Sequence, residues 1–342
     1  MAATSSNDEF VYVPGLAMER VSEKLIGERP VLSQVHKTWK GEQAKEAGPP
    51  CRFVFASDLH NNYRKWAAQC SGQEDPVRLA KAVALLPEGD FFVITGDWTE
   101  NGSEREVTLF LRFLELCVAA RKYKHIVCIA GNHDLSFDSS RPTFFNPSLK
   151  HLFLQRLAEF GNVHYLESSS VTLLGFNFYG SPWINRSGCP GFLPHGSRSD
   201  IDRFLIAEWA KIPSDVDVLM THMPPALIPG FGSHPYFCEH LFARVSRLAP
   251  RVHCFGHVHF RRGITARISS SSASTRSGDG VTYFINSAIK PKGFAHPIVM
   301  DLFPANISQK PPPPDMLATL REEWLQFQRQ RSEPSLQDLP ER

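Results

Sequence analysis

Five short apolar segments recur along the chain, and each of them ends in polar residues. Short runs rich in Val, Ile and Phe are typical of strands that are buried on both faces. The segments are RFVFASDLH (52–60), DFFVITGD (90–97), HIVCIAGNHD (125–134), DVDVLMTH (215–222) and RVHCFGHVH (251–259). The pattern therefore predicts five buried strands, each followed by polar residues.

The stretches that separate these strands have the apolar spacing of helices. Ser103 and Glu106 have the spacing of a capping box at the start of one helix, Gly161 can stop another, and Pro250 closes the last. The predicted helices cover 76–86, 103–122, 147–160, 199–211 and 237–249. Because strands alternate with helices, we expect a mostly parallel sheet.

A second set of closely spaced apolar runs predicts a second, mixed sheet. VHYLE, VTLLG and FNFYG fall between 163 and 180, and GITARI (263–268), VTYFIN (281–286) and PIVMDL (297–302) follow the last of the five segments. The simplest packing places the two sheets face to face with helices outside. The sequence thus predicts an α/β fold of two face-to-face mixed β-sheets flanked by helices.

Composition divides the chain into a central domain and peripheral segments. We expect an N-terminal extension over 1–50, the domain over 51–303, and a proline-rich linker with a C-terminal helix over 304–342. A serine-rich insert, residues 269–280, is expected to be a mobile tip between two strands. The KPPPP motif in the linker is a weak candidate ligand for an SH3 or WW domain.

Charge and cysteine content exclude several classes of partner and place the protein in a reducing compartment. The net charge is +2 and the pI is about 8.2, so no bias points to extended nucleic acid or to a membrane surface. None of the seven cysteines forms a C-x-x-C pair. The N-terminus has no signal-peptide pattern, and no run is apolar enough to span a bilayer. We therefore expect a cytoplasmic protein.

The polar residues after the five strands are candidate metal ligands. Ligands bind beyond the carboxyl ends of strands in open α/β sheets, and all five clusters lie at such ends. Together they offer Asp58, His60, Asp97, Asn132, His133, His222, His257 and His259. Mixed oxygen and nitrogen donors suit Mn, Fe or Zn better than calcium. Two such ions clamp the attacking and leaving oxygens of an in-line displacement at phosphorus.

The order of these motifs, D-x-H, G-D, G-N-H-D, a later lone His and G-H-x-H, resembles the calcineurin-like metallophosphoesterase superfamily. Within it, IAGNHDLSFD, YGSPW, THMPP, FGHVH, INSA and PIVMDL are similar to the metallophosphoesterase-domain-containing (MPPED) proteins, which are relatives of class III cyclic nucleotide phosphodiesterases. The resemblance covers roughly residues 51–303.

The resemblance implies two divalent ions, with a metal-bound hydroxide as the nucleophile. It implies that metal 1 is held by Asp58, His60, Asp97 and His259. It implies that metal 2 is held by Asp97, Asn132, His222 and His257, with Asp97 bridging. His133 would protonate the leaving oxygen or stabilise charge on the phosphoryl group. Glu100 matches an acidic position that orients that histidine in relatives, although helix capping explains it almost as well.

The function that follows is a metal-dependent phosphoesterase, and the motifs favour a phosphodiesterase. They carry no arginine cluster of the kind that grips a dianionic phosphate, which favours a diester such as a cyclic nucleotide. A phosphomonoesterase or phosphoprotein phosphatase is the alternative enzyme, and a binding or scaffold protein on the same fold is the alternative from another class. Trp183 could stack a nucleobase, but we favour a packing role.

Overall fold

The strands of the computed structural model pair into two sheets. The structure describes residues 9–12, 50–62, 75–226, 236–260, 262–268, 281–289 and 297–304. The first sheet contains β2 (Cys51–Ala56), β3 (Gly89–Thr95), β4 (Tyr123–Ile129), β5 (Val163–Tyr165) and β12 (Ile298–Leu302). The second contains β1 (Glu9–Tyr12), β6 (Ser169–Leu173), β7 (Phe176–Ser181), β8 (Val218–Thr221), β9 (Val252–Phe255), β10 (Gly263–Ile268) and β11 (Val281–Asn286).

Both sheets combine parallel and antiparallel strand pairs. The first runs in the order β12-β2-β3-β4-β5 with β12 antiparallel to its neighbour, and the second runs β1-β10-β11-β9-β8-β7-β6. In the second sheet β7, β8, β9 and β11 run parallel, whereas β6 pairs antiparallel with β7, β10 with β11 and β1 with β10. The predicted α/β fold with two mixed sheets is confirmed.

Our division of the strands between the sheets was wrong. The five strands that precede the candidate ligands do not share one sheet, because β8 and β9 pair with β7 and β11 in the second sheet. Conversely, β5 and β12, which we placed in the second sheet, pair with β4 and β2. An apolar run indicates that a strand is buried, but it does not indicate which strand pairs with it.

Five helices cover the outer faces of the sheets within the described ranges. They are α1 (Asp75–Ala84), α2 (Glu104–Ala119), α3 (Pro147–Phe160), α4 (Arg198–Ala210) and α5 (Glu239–Leu248). The predicted capping box starts α2, where the Ser103 main-chain nitrogen donates to Glu106 Oε2 at 2.9 Å. Gly161 ends α3 with a left-handed φ of 74°. In the described part of the chain, none of the helices has the length and apolar character of a membrane span.

An aromatic layer fills the space between the sheets. The Phe53 ring of β2 lies 4.5 Å from the Phe91 ring of β3 and 5.0 Å from the Phe176 ring of β7, which belongs to the opposite sheet. All three side chains are fully buried. At about 25 cal/mol per Å² of apolar surface removed from water, such a layer is a major source of folding free energy.

The sheets converge at one end, where the five strands that precede the candidate ligands finish. Ser57, directly after β2, forms a bridge with Ala288, which follows β11. Beside it, Thr95 Oγ1 and Ser287 Oγ lie 3.1 Å apart across the sheets. This contact closes the sandwich and brings the loops after β2, β3 and β4 against those after β8 and β9.

Several predicted peripheral segments lie outside the described residues. These are the insert 269–280, the proline-rich linker with its KPPPP motif and the C-terminal helix over 305–342, and most of 1–50. Residues 9–12, within the predicted N-terminal extension, add the edge strand β1 and pair with β10.

Candidate metal centre

The predicted ligands meet where the two sheets converge. Their donor atoms form overlapping groups of three, and all the atoms of a group lie within 4.8 Å of one another. The groups are Asp58, His60 and His259; His60, Asp97 and His133; and Asp97, His222 and His257. The side chain of Asn132 joins the last group. One connected cluster therefore contains every side chain that the sequence proposed as a ligand.

The loops that carry these side chains adopt a rarely populated backbone conformation. Asp58, His60, Asp97 and His257 have φ values of 57°, 41°, 51° and 65°, in the left-handed region that residues other than glycine seldom occupy. Such residues cost about 1–3 kcal/mol each and cluster at functional sites. Hydrogen bonds between the loops hold these residues in place. His60 N donates to the Asp97 carbonyl at 2.9 Å, and Asp58 N donates to the Gly96 carbonyl at 3.0 Å.

Two glycines give the carboxylates room beside the backbone. A Cβ added to Gly131 would lie 2.3 Å from Asp97 Oδ1, and one added to Gly256 would lie 2.4 Å from Asp58 Oδ2. Both distances are far shorter than van der Waals contact, so no other residue fits either position. The glycines of the GNHD and GHVH motifs thus bring neighbouring backbone close to the ligand oxygens.

The half of the cluster assigned to metal 2 is built around Asn132. Its Oδ1 lies 3.0 Å from His222 Nε2 and 2.8 Å from His257 Nδ1. The other nitrogen of each ring faces a main-chain carbonyl, at 2.8 Å from Thr95 O for His222 and 3.1 Å from Arg186 O for His257. Because a carbonyl only accepts, these contacts fix which nitrogen carries hydrogen and direct the other toward Asn132.

The half assigned to metal 1 is built from Asp58, His60 and His259. Asp58 Oδ1 lies 3.0 Å from His259 Nε2, and His60 Nε2 lies 3.8 Å from Asp97 Oδ2. The same Asp97 oxygen lies 3.2 Å from His222 Nε2. Asp97 therefore stands between the two halves, with one oxygen facing a histidine of each.

Two observations fit cations at this position. His60 is buried, and in the described part of the chain neither of its ring nitrogens makes a hydrogen bond. His257 faces an oxygen with both nitrogens, although neutral imidazole has a single ring hydrogen. An unpaired buried nitrogen is costly, and a bound cation would give one nitrogen of each ring, His60 Nε2 and His257 Nδ1, a partner. The mixed oxygen and nitrogen donors suit Mn, Fe or Zn.

The comparison with known families now decides the identity. The sequence profile of the calcineurin-like phosphoesterases matches residues 51–261. The chain belongs to this family. It is also 30% identical over 269 residues to human metallophosphoesterase domain-containing protein 1, covering 73% of the chain and 71% of that protein. These matches confirm the predicted superfamily and its MPPED-like branch.

Other relatives extend the comparison. UPF0046 protein K07C11.7 of Caenorhabditis elegans is 33% identical over 216 residues, which is 61% of the chain and 65% of that protein. The crystal structure of phosphopantetheinyl hydrolase from Mycobacterium tuberculosis is similar at a TM-score of 0.44 and 15% identity, over 75% of the chain and 97% of that structure. Membership in the calcineurin-like phosphoesterase family makes the protein a metal-dependent phosphoesterase, a hydrolase that acts on phosphoric esters.

Charge in the phosphoesterase site is arranged for cations. Burial would raise the pKa of Asp97, but His222, His60 and His133 hold it far below its usual range. Burial likewise opposes ionisation of Asp58, whose pKa His259 and His222 nevertheless lower. Burial would lower the pKa of His222, but the two aspartates raise it to about 9. Without metal, a proton on His222 offsets the carboxylate charge, and metal binding must displace it.

His133 lies beside the ligands. Its ring centroid is 4.7 Å from that of His60, and its main-chain nitrogen donates to Asp97 Oδ1 at 2.8 Å. Burial would lower the pKa of His133, but Cys189, Asp97 and the Glu100 carbonyl raise it to about 10. In the metal-free protein these contacts favour the protonated imidazole, which can serve as a proton donor.

Glu100 contacts two histidines through different groups. Its main-chain oxygen lies 2.7 Å from His133 Nδ1, whereas its exposed carboxylate lies 3.2 Å from His60 Nδ1. The contact with His133 is therefore made by an atom that every residue type has. Trp183 packs between aromatic rings, 4.5 Å from Phe204 and 5.7 Å from Phe192.

Sequence reasoning assigned no role to Asp134, the last residue of GNHD. This buried carboxylate accepts from Thr99 N at 2.9 Å, from Thr99 Oγ1 at 2.7 Å and from Gly131 N at 2.7 Å. It thereby ties the loop after β3 to the loop after β4. Burial, together with the nearby Asp97 charge, raises the pKa of Asp134 to about 7. Its place in the motif was the only sequence signal for this role.

Proposed function

We propose that this phosphoesterase hydrolyses phosphodiesters, of which cyclic nucleotides are the first class to test, with two divalent ions held by the seven predicted ligands. The observation that carries the proposal is the position of Asp97. One buried oxygen, Oδ2, faces His60 at 3.8 Å and His222 at 3.2 Å, as a bridging ligand requires. The lack of an arginine cluster in the ligand motifs supports a diester over a dianionic monoester.

The chemistry divides between the ions and the chain. When bound, two divalent ions would neutralise charge on the phosphoryl oxygens and activate water for in-line attack. Asp58 and Asp97 bring two negative charges against four positive ones, so the loaded site would attract an anionic ester. The main-chain nitrogen of His133 holds the other Asp97 oxygen, Oδ1, which leaves Oδ2 to face the ligands.

His133 is proposed as the general acid. Its Nδ1 donates to the Glu100 carbonyl, so the hydrogen available for transfer is the one on Nε2. That proton would go to the ester oxygen as its bond to phosphorus breaks. An alkoxide is a poor leaving group, and general acid help of this kind is typically worth about 10²–10⁴-fold.

A substrate and metal panel tests the proposal. Metal-free protein would be assayed on bis(nitrophenyl) phosphate, nitrophenyl phosphate, 2′,3′- and 3′,5′-cyclic nucleotides and phosphopeptides, with and without added Mn²⁺. We expect Mn²⁺-dependent hydrolysis of the diesters to exceed that of the monoesters, with Asp97→Asn as the inactive control. Preference for phosphopeptides or nitrophenyl phosphate would favour the phosphatase alternative, and no hydrolysis of any ester would favour a binding protein.

The cellular site of this activity is proposed to be the cytoplasm. The six cysteines within the described ranges are all free thiols, and four of them are buried in apolar surroundings. Free thiols of this kind persist in a reducing compartment. Fractionation of cells that produce the tagged protein should place it with cytoplasmic markers, and recovery from a secretory fraction would contradict the proposal. A partner at KPPPP stays a prediction that no described contact tests.

A further inference from the structure

One loop covers two of the three ligands that are assigned to metal 2 alone, Asn132 and His257. We call residues 185–191 the covering loop; it lies between β7 and α4. It contacts both the side chain and the main chain of Asn132. Ser187 Oγ accepts from Asn132 Nδ2 at 3.0 Å, and Cys189 Sγ lies 3.1 Å from the Asn132 main-chain oxygen. It also contacts His257, whose Nε2 donates to the Arg186 carbonyl at 3.1 Å.

The contact with Ser187 decides which end of the Asn132 amide faces the metal site. An asparagine offers an acceptor oxygen and a donor nitrogen of nearly equal size, and only the oxygen can bind a cation. Ser187 Oγ accepts from Asn132 Nδ2 and, at 3.1 Å, from the main-chain nitrogen of Cys189. The Asn132 nitrogen is therefore held in the loop, and Oδ1 is left facing His222 and His257.

The loop is pressed closely onto Asn132. A Cβ added to Gly191 would lie 2.4 Å from the Asn132 main-chain oxygen, so this position admits only glycine. Ser187 itself is half-buried, which reduces competition from water for its hydroxyl. The covering loop therefore holds Asn132 at its main chain and at its side chain.

We propose that Ser187 is a positioning residue for metal 2: together with the Arg186 carbonyl, it orients Asn132 and His257 so that their ligand atoms converge. The inference rests on the proposed function, because it needs a second ion at these ligands. The described hydrogen bonds from the loop to predicted ligands go to Asn132 and His257, both assigned to metal 2. The loop should thus affect the two metals unequally.

The variants Ser187→Val and Ser187→Thr form a matched pair. The two side chains have nearly the same shape, but only threonine keeps the hydroxyl that accepts from Asn132. Ser170→Val, at an exposed position of β6, controls for the substitution itself. Loss of a hydrogen-bond partner behind a metal ligand typically costs about 10–100-fold in metal affinity.

The measurement is a calorimetric titration of metal-free protein with Mn²⁺, accompanied by the melting temperature of each metal-free variant. We expect Ser187→Val to weaken one of two sites about 10–100-fold and to leave the other within about twofold, with Ser187→Thr and Ser170→Val close to wild type. Two sites in every variant with unchanged affinities would overturn the role of Ser187 and leave the proposed function standing. Fewer than two sites in the wild-type protein would overturn both. Equal weakening of both sites, or equal effects of valine and threonine, would also overturn the selective role.

Discussion

The aromatic layer between the sheets and the ligand cluster at their edge are both buried, yet burial has opposite consequences in them. Phe53 and Asp58 belong to the same run of chain, and both are almost completely hidden from solvent. Burial of the phenyl ring is favourable by itself. Burial of the carboxylate is unfavourable unless charge and hydrogen bonds compensate it. The comparison teaches that the layer provides stability, whereas the cluster, under the proposed function, needs bound cations to complete it.

Asp97→Asn is the change that should break the function of the cluster most severely. The substitution removes a negative charge from both proposed metals, so the loss in metal affinity should exceed the about 10–100-fold that is typical for losing a partner behind a ligand, and turnover should collapse with it. Metal content should fall in parallel, and the melting temperature of the metal-free protein should fall as well, since His222 loses its buried charged partner. Metal analysis, diester turnover and thermal melts provide the measurements.

The matched control for this prediction is Asp215→Asn, the same chemical change at an exposed position. It should retain metal and turnover. If Asp97→Asn keeps two metals per chain and near wild-type turnover, Asp97 is not the bridging ligand.

His133→Asn should separate proton donation from metal binding within the cluster. We expect both metals to remain and turnover on a cyclic nucleotide to fall about 10²–10⁴-fold, because its alkoxide needs a proton. Loss on a nitrophenyl diester should be much smaller, since nitrophenolate leaves without one. Asn132→Ala should instead weaken metal 2 and reduce both activities alike, unless excess Mn²⁺ restores them. The ratio of the two rates at saturating Mn²⁺ is the test, and equal losses in His133→Asn would remove its general-acid role.

Phe53→Ala tests the other side of the comparison. The ring contacts Phe91 and Phe176 across the layer, so its removal should lower the free energy of unfolding by about 3–5 kcal/mol. Metal content and turnover per folded molecule should be unchanged. Urea unfolding checks the stability, with Phe144→Ala, at a position 46% exposed, as the control. A loss of metal from folded Phe53→Ala protein would show that layer and cluster are not separable.

His253 offers the smallest and most selective test, because it is a buried histidine outside the cluster. Burial lowers the pKa of His253 to about 3, and its Nε2 lies 2.9 Å from Thr221 Oγ1. The unfolded chain binds a proton at about pH 6.5 and the folded chain does not, so this residue makes stability fall as pH drops from about 6.5 toward 3. The slope is at most about 1.4 kcal/mol per pH unit.

The variant His253→Gln should therefore lose less stability than wild type between pH 6.5 and 4.5, measured by urea unfolding of metal-free protein. His151→Gln, at an exposed position, should retain the wild-type slope. If the free energy of unfolding depends on pH in the same way in wild type and His253→Gln, then His253 titrates alike in the folded and unfolded chain, and the prediction is wrong.

The sequence was sufficient for the fold class and for the side chains that gather at the cluster. Polar residues after buried parallel strands must lie at the same sheet edge, and this rule brings Asp58 and Asp97 together. His222 follows a strand of the other sheet and meets them only because the two sheets converge. The sequence was insufficient for the pairing of strands. The runs of β5 and β12 resemble those of the second sheet in composition, and only long-range hydrogen bonding decides their neighbours.

Contacts made by main-chain atoms and distant loops also left no sequence signal. Ser187 lies 55 positions from the asparagine that it contacts, and a lone serine in a loop has no distinctive spacing. The Glu100 contact with His133 uses a carbonyl oxygen, which no sequence pattern marks. The residues that orient the predicted ligands were therefore much harder to find than the ligands themselves.

The central claim is that the cluster binds two metal ions that the reaction requires. The most direct test is to titrate metal-free protein with Mn²⁺ while following bound metal and diester hydrolysis in the same samples. The account predicts saturation at two ions per chain, with turnover appearing as the second ion binds. Saturation at one ion, or full turnover in the continued presence of a strong chelator, would contradict it.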